Sequence, residues 1–115
     1  MQRGEIYKVE LDAPGTVPGH EIIGYRPVLV ISPQAYNNRS LFVLVVPFTL
    51  TQETERLPFT IPVEVTTQNG LDSRSILLVL QLRSLDNRRF RGRARIGIIE
   101  SNILVRTMGM INEMI

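Results

Sequence analysis

Residues Gly4–Leu11 alternate along the chain, with Tyr7, Val9 and Leu11 on one side and Ile6, Lys8 and Glu10 on the other. A period of two is that of a strand, and it predicts one here. Asp12–Tyr25 contains Pro14, Gly15, Pro18, Gly19 and Gly24 and cannot sustain regular structure. It predicts a long connector, and such loops in small domains are usually functional or mobile. Pro27–Ile31 predicts a compact strand, after which Ser32 is placed to cap, and Pro33 to start, one helical turn through Asn37. Leu41–Thr49 is apolar on both faces and predicts the central strand. Phe59–Val65 predicts an edge strand, because Pro58 and Pro62 cannot donate to a ladder. Asn69-Gly70 marks a turn, and Ser75–Arg83 predicts a further strand built on Ile76–Leu80.

The period then changes. Leu104, Met108, Ile111 and Ile115 fall on one face of a helix that Ser101 is placed to cap. Gly109 inside it costs about 1 kcal/mol against alanine. Five or so strands followed by a C-terminal helix predict a mainly β fold, a small curled sheet closed by that helix. There is no internal repeat and no linker, so residues 1–115 are expected to form one domain.

Composition narrows the chemistry. The chain has no cysteine and one histidine, which leaves no disulfide framework, no thiolate and no zinc site built on cysteine. Its longest apolar run, Leu41–Val46, is far short of the ~20 residues that cross a bilayer. The first residues carry Glu5, Glu10 and Asp12 rather than a basic-then-apolar leader, so a cytoplasmic protein with no membrane partner is expected. The formal charge is only +2, but twelve of the 13 cations are arginine, Lys8 being the exception. Six arginines (83, 88, 89, 91, 93 and 95) stand against one acid, Asp86, in that stretch, whereas seven of the 11 acids lie at or before Glu64. This segregation, in a side chain whose planar fork suits phosphate, points to an anionic partner.

There is no Walker loop, no Gly-x-Gly-x-x-Gly and no carboxylate pair at metal-ligand spacing, so chemistry without a metal or cofactor is expected. Cleavage of RNA can run on arginines and hydroxyls, because RNA carries its own nucleophile in the 2′-hydroxyl. The protein then has to align the attack, assist proton transfer and stabilise the charge of the phosphorane. Arg26 is held extended by Pro27, and Thr49 stands at the exit of the central strand. Phe48 and Tyr25 are candidates for stacking on bases. Each has a structural alternative: Arg26 paired to a loop carboxylate such as Glu21, Thr49 capping its own backbone, Phe48 in the core, and the arginine run a solvated segment.

An ordered series of motifs covers nearly the whole chain: Arg3-Gly4-Glu5-Ile6-Tyr7, Gly19-His20-Glu21, Gly24-Tyr25-Arg26-Pro27-Val28-Leu29-Val30-Ile31-Ser32-Pro33, Val45-Val46-Pro47-Phe48-Thr49, Asn69-Gly70-Leu71, and Gln81-Leu82-Arg83-Ser84-Leu85-Asp86. The series resembles the MazF/PemK toxin family. The resemblance implies a metal-independent endoribonuclease of a type II toxin–antitoxin module, with a small SH3-like, CcdB/PemK-type barrel. It implies a homodimer that cuts single-stranded RNA at short sequences and is neutralised by a cognate acidic antitoxin. The family's catalytic arginine falls on Arg26, its threonine or serine on Thr49, and the assisting histidine of some members on His20. Gln81, Arg83, Arg89 and Phe48 are the implied RNA contacts. Leu80 stands where many members have a carboxylate, and Leu78 where some have an acidic-acting arginine. That departure keeps open two other readings, a CcdB-like protein that binds DNA gyrase without catalysis and a catalytically weakened RNA-binding protein.

Overall fold

In the computed structural model, which describes residues 1–11 and 24–115, the order is β1 (Glu5–Glu10), β2 (Tyr25–Val30), α1 (Gln34–Asn37), β3 (Phe42–Thr49), β4 (Thr60–Val63), β5 (Ser75–Leu78), β6 (Arg83–Asp86), β7 (Gly97–Ile98) and α2 (Ser101–Met114). All pairings are antiparallel, in the order β4-β5-β3-β2-β1-β7, with β6 beside the first half of β3. The strand with apolar residues on both faces, β3, is the central one, and β4 with Pro62 lies at the edge, as the pattern predicts.

Alternation gives the sheet two apolar faces. Ile6, Leu29, Ile31, Val46 and Phe48 join one core with β4, β5 and helix α2. Tyr7, Val9, Val28, Val30, Val43 and Val45 join a second with Leu85 and Phe90, whose ring meets Tyr7 edge-on at 5.5 Å. Two covered faces explain why β2 and β3 read as nearly continuous apolar runs.

Four sequence expectations are corrected. Ser75–Arg83 is not one strand: β5 and β6 are separated by a 3₁₀ turn, Val79–Gln81. Phe48 faces Leu77 and Val45 faces Arg83, so three residues of β3 span six of the partner, and the turn absorbs the excess. The break keeps Val79 buried and swings Leu80 outward, 55% exposed. An unbroken apolar run carries no mark of such a bulge. Ser32 does not cap α1, whose N-cap is Pro33. Its hydroxyl donates to Asn37 Oδ1 and accepts from the Leu44 N–H at 3.0 Å, tying the turn to β3. Ser101 is the first residue of α2, and Glu100 is its N-cap. Ile115 lies past the helix end, 95% exposed, while buried Thr107 takes a place on the packed face and donates its hydroxyl proton to the Ile103 carbonyl at 2.8 Å.

The turn after β4 is locked by Asn69, which is fully buried. Its Nδ2 donates to the Glu64 carbonyl at 2.9 Å and to Glu100 Oε1 at 3.1 Å. Its Oδ1 accepts from the N–H groups of Thr66 at 3.2 Å and Leu71 at 3.1 Å. Both donors and both acceptor sites of the amide are used, so burial costs it little. Thr66 Oγ1 donates to the other oxygen of Glu100 at 2.7 Å, fastening the turn to the start of α2. Gly70 and Gly97 let two backbones meet there: a Cβ on Gly70 would lie 1.9 Å from the Ile96 carbonyl oxygen, and one on Gly97 2.2 Å from Asn69. Asn69→Ala is therefore expected to lower stability by about 2–3 kcal/mol, from the stranded carboxylate and N–H groups. Gly70→Ala, with φ at +68° as well, is expected to lose more, both read as the denaturant midpoint.

Near the start of β1, Glu5 accepts from the Gln2 N–H at 2.6 Å and from Arg95 Nη1 at 2.8 Å. Burial works against its charge, but the Gln2 N–H and the Arg95 guanidinium outweigh that and hold its pKa below the ordinary 4.5. A carboxylate with a depressed folded pKa stabilises the fold above its unfolded pKa and loses that contribution as pH falls through the folded value. Stability is expected to drop as pH is taken below about 4.5, and Glu5→Gln is expected to flatten that part of the profile in denaturant titrations.

Candidate active site

Two prolines set the geometry of the site. The β2–β3 ladder runs Val30↔Val45, Leu29↔Val46, Val28↔Pro47 and stops there. Pro27, next along β2, has no N–H to give, and β3 diverts to β5 through Phe48↔Leu77 and Thr49↔Ile76. Continuing the β2–β3 register by two residues sets Arg26 across from Thr49. The strand ends part at that point and open a cleft of about 110 Å³. Arg26 and Thr49 both line it, with Phe48, Lys8, Tyr25 and Ile96 and, after the Asn69 turn, a wall of Leu71, Asp72, Ser73 and Ser75. The Asn69 turn holds this last wall in place, since it leads directly into Leu71.

Arg26 is exposed, whereas Thr49 is 7% exposed. Thr49 Oγ1 accepts from the Thr51 N–H at 3.2 Å, the backbone-capping bond open to a strand-end threonine. That bond uses a lone pair of the hydroxyl, and its proton remains to be donated into the cleft. The pair can thus offer a guanidinium fork and one hydroxyl donor to a tetrahedral anion. Lys8 adds positive charge to the lining and Asp72 negative. Among the described residues no three His, Cys, Asp or Glu side chains come together as metal ligands.

The other residues singled out in the sequence are dispersed. His20 lies outside the described residues. Phe48 is 1% exposed and belongs to the first core, so its ring is not available for stacking on a base; the exposed aromatic at the cleft is Tyr25. Gln81 sits on the 3₁₀ turn and lines a separate groove of about 430 Å³ with Leu57, Phe59 and Leu80. Leu78 is buried in β5, so the two positions where the resemblance would set an arginine and a carboxylate are a core residue and the apolar wall of that second groove. Arg83 lies in β6 opposite Val45. Arg89 donates to the Glu10 carbonyl at 2.8 Å, beside the pair Glu10↔Tyr25.

Nor is the arginine run simply solvated. Arg88 chelates Asp86 at 2.8 and 2.9 Å, Arg95 holds Glu5, and Arg93 donates to the Tyr25 hydroxyl at 2.6 Å. The Arg88 guanidinium holds the Asp86 carboxyl at about 2. Sequence reasoning passed over Arg74, which donates to Glu64 at 2.8 Å, to Glu55 at 2.9 Å and to Gln52, and so fastens the 3₁₀ turn Gln52–Arg56 beside the cleft rim at Leu50. An arginine between two serines carries no local sign of three partners up to 22 residues away.

Comparison with known proteins agrees with this architecture. The curled sheet and closing helix superpose on a crystal structure of MazF from Deinococcus radiodurans with a TM-score of 0.78, over 99% of this chain and 94% of that one, at 24% identity. A MazE–MazF crystal structure from the same organism matches with a TM-score of 0.73 at 25% identity, over the same shares of the two chains. The fold is the CcdB/PemK-type barrel expected from the sequence. Among sequence relatives, the endoribonuclease MazF of Staphylococcus saprophyticus is 32% identical over 91 residues, 79% of this chain and 72% of that protein. The endoribonuclease PemK of Escherichia coli is 47% identical over 49 residues, which take in 43% of this chain and 35% of PemK. The profile of the family described as PemK-like, MazF-like toxin of type II toxin–antitoxin system matches residues 2–115, and the chain belongs to that family.

Proposed function

We propose that this toxin is an endoribonuclease that cleaves single-stranded RNA at Arg26 and Thr49 without a metal ion. The observation that carries the reading is the parting of β2 and β3, which leaves a guanidinium and a hydroxyl facing each other across one cleft. The 2′-oxygen attacks the adjacent phosphorus and loses its proton, the P–O5′ bond breaks, and the 5′-oxygen leaves with a proton. The products are a 2′,3′-cyclic phosphate and a 5′-hydroxyl. Arg26 stabilises the added charge of the phosphorane and positions the leaving oxygen, and Thr49 donates to a non-bridging oxygen. His20, in the connector between β1 and β2, is the proton carrier in this scheme.

Like the MazF chains crystallised with MazE, the toxin is expected to have a cognate antitoxin, here an acidic segment that orders on binding and competes with RNA for the arginine-bearing face. It is expected to act in the cytoplasm as a homodimer; among the described residues no helix is long and apolar enough to cross a membrane.

Incubation with mixed-sequence single-stranded RNA in EDTA tests the reading. Wild type is expected to give fragments with cyclic phosphate ends. Arg26→Ala is expected to lower kcat by about 10²–10³, the cost of one oxyanion donor, and Thr49→Val by a smaller factor. Cleavage that needs added Mg²⁺, or that Arg26→Ala leaves intact, overturns the mechanism.

A further inference from the structure

Tyr25 opens β2, next to Arg26, and its ring is 42% exposed. Two cations are held against that ring. Lys8 Nζ lies 5.1 Å from its centroid, and the Arg93 guanidinium carbon 4.7 Å, with Nη1 also donating to the phenolic oxygen. Each contact is favourable, yet together they crowd two like charges around a single ring.

Among the described residues, charge neutralisation does not account for the arrangement. Arg74, Arg88 and Arg95 each meet a carboxylate at 2.8–2.9 Å. Among the described residues neither Lys8 nor Arg93 does; their contacts are with Tyr25. Two cations that meet no carboxylate among the described residues, beside an exposed aromatic face, match two parts of one ligand, a phosphodiester for the charges and a base for the ring. Lys8, Tyr25 and Arg26 line the same cleft, so that ligand is contiguous with the phosphate held by Arg26.

We infer that Lys8, Tyr25 and Arg93 form a nucleotide subsite for single-stranded RNA immediately beside the Arg26–Thr49 cleft. The base stacks on Tyr25, and the two cations take the phosphate that joins this nucleotide to the one at Arg26. Arg93 is free to follow the phosphate, because it is exposed and comes just after Gly92, whose φ is +74°. A partner recognised by charge alone, such as an acidic peptide, uses the cations but has no need of the ring.

The inference rests on the endoribonuclease reading for its substrate, and the experiment separates the two. The probe for binding is an all-2′-deoxy single-stranded oligonucleotide, which lacks the 2′-nucleophile at every position and stays whole. Tyr25→Leu is expected to weaken its binding about 5- to 100-fold, the range found for one stacked base, and Tyr25→Phe to regain most of that loss. Lys8→Met and Arg93→Met are each expected to lower the slope of log affinity against log salt by about 0.7. With cleavable RNA, the loss in Tyr25→Leu is expected in KM rather than kcat. Tyr25 and Arg93 are exposed and Lys8 is half-buried, and unchanged melting temperatures check that the variants fold. Wild-type binding by Tyr25→Leu overturns the subsite, as does a loss confined to binding of a polyglutamate peptide. Tyr25-dependent binding by a wild-type protein that cuts no RNA either in EDTA or with added Mg²⁺ upholds the subsite and overturns the endoribonuclease reading.

Discussion

Strand β3 is paired on both edges, and it changes partners within its length. Phe42–Val45 pair with β6 and Val45–Pro47 with β2, and the last two residues pair with β5, which follows β6 along the same edge across the 3₁₀ turn. The β2–β3 ladder ends at Val28↔Pro47 while the opposite edge runs on. Pro27 supplies that end, since the next pair would set it against Phe48 and it has no N–H to donate. Everything of chemical interest follows from this break. The sheet curls enough to enclose a core under α2, and the open ends of β2 and β3 leave Arg26 and Thr49 on either side of a cleft.

A curled sheet with an opening in it needs its far wall fixed, and polar groups do this rather than apolar ones. Asn69 satisfies all of its hydrogen-bonding capacity inside the protein, and Glu100 answers it from the start of α2. Leu71, Asp72 and Ser73 are thereby set against the strands that carry Arg26 and Thr49. A half-satisfied network would cost more than an apolar core, and that explains the two glycines that let the backbones close around it. Between Ser73 and Ser75 of the same wall, Arg74 performs the comparable task at the surface, where screening by solvent makes geometry more important than energy.

The arginines divide by what they touch. Some are consumed by the fold, Arg95 by Glu5 and Arg88 by Asp86, and these extend a basic segment without offering it to a ligand. Arg93 instead approaches an aromatic ring at the cleft. A count of positive charge therefore overstates the anion-binding surface and misplaces its centre, which lies at the mouth of the cleft around Lys8, Tyr25 and Arg26.

Much of this was legible in the sequence. Alternation located the strands, the doubly apolar Leu41–Thr49 identified the central one, and the ordered motifs pointed to the family and singled out Arg26 and Thr49 as a pair. These signals are local, or are carried by residue identity, and survive without coordinates. What sequence could not supply was register and partner choice. Ile76–Leu80 reads as one strand because an apolar run looks the same straight or bulged, and only the pairing with β3 shows that Leu80 turns outward. Phe48 passed for a base-stacking residue because burial depends on which strands cover it. The Lys8–Tyr25–Arg93 cluster joins residues up to 85 positions apart, and a charge 68 residues from an aromatic ring has no sequence signature. The sequence by itself determined most of the elements that form and singled out Arg26 and Thr49; the tertiary structure alone decided what stands beside them, because proximity across a sheet is set by register and not by order along the chain.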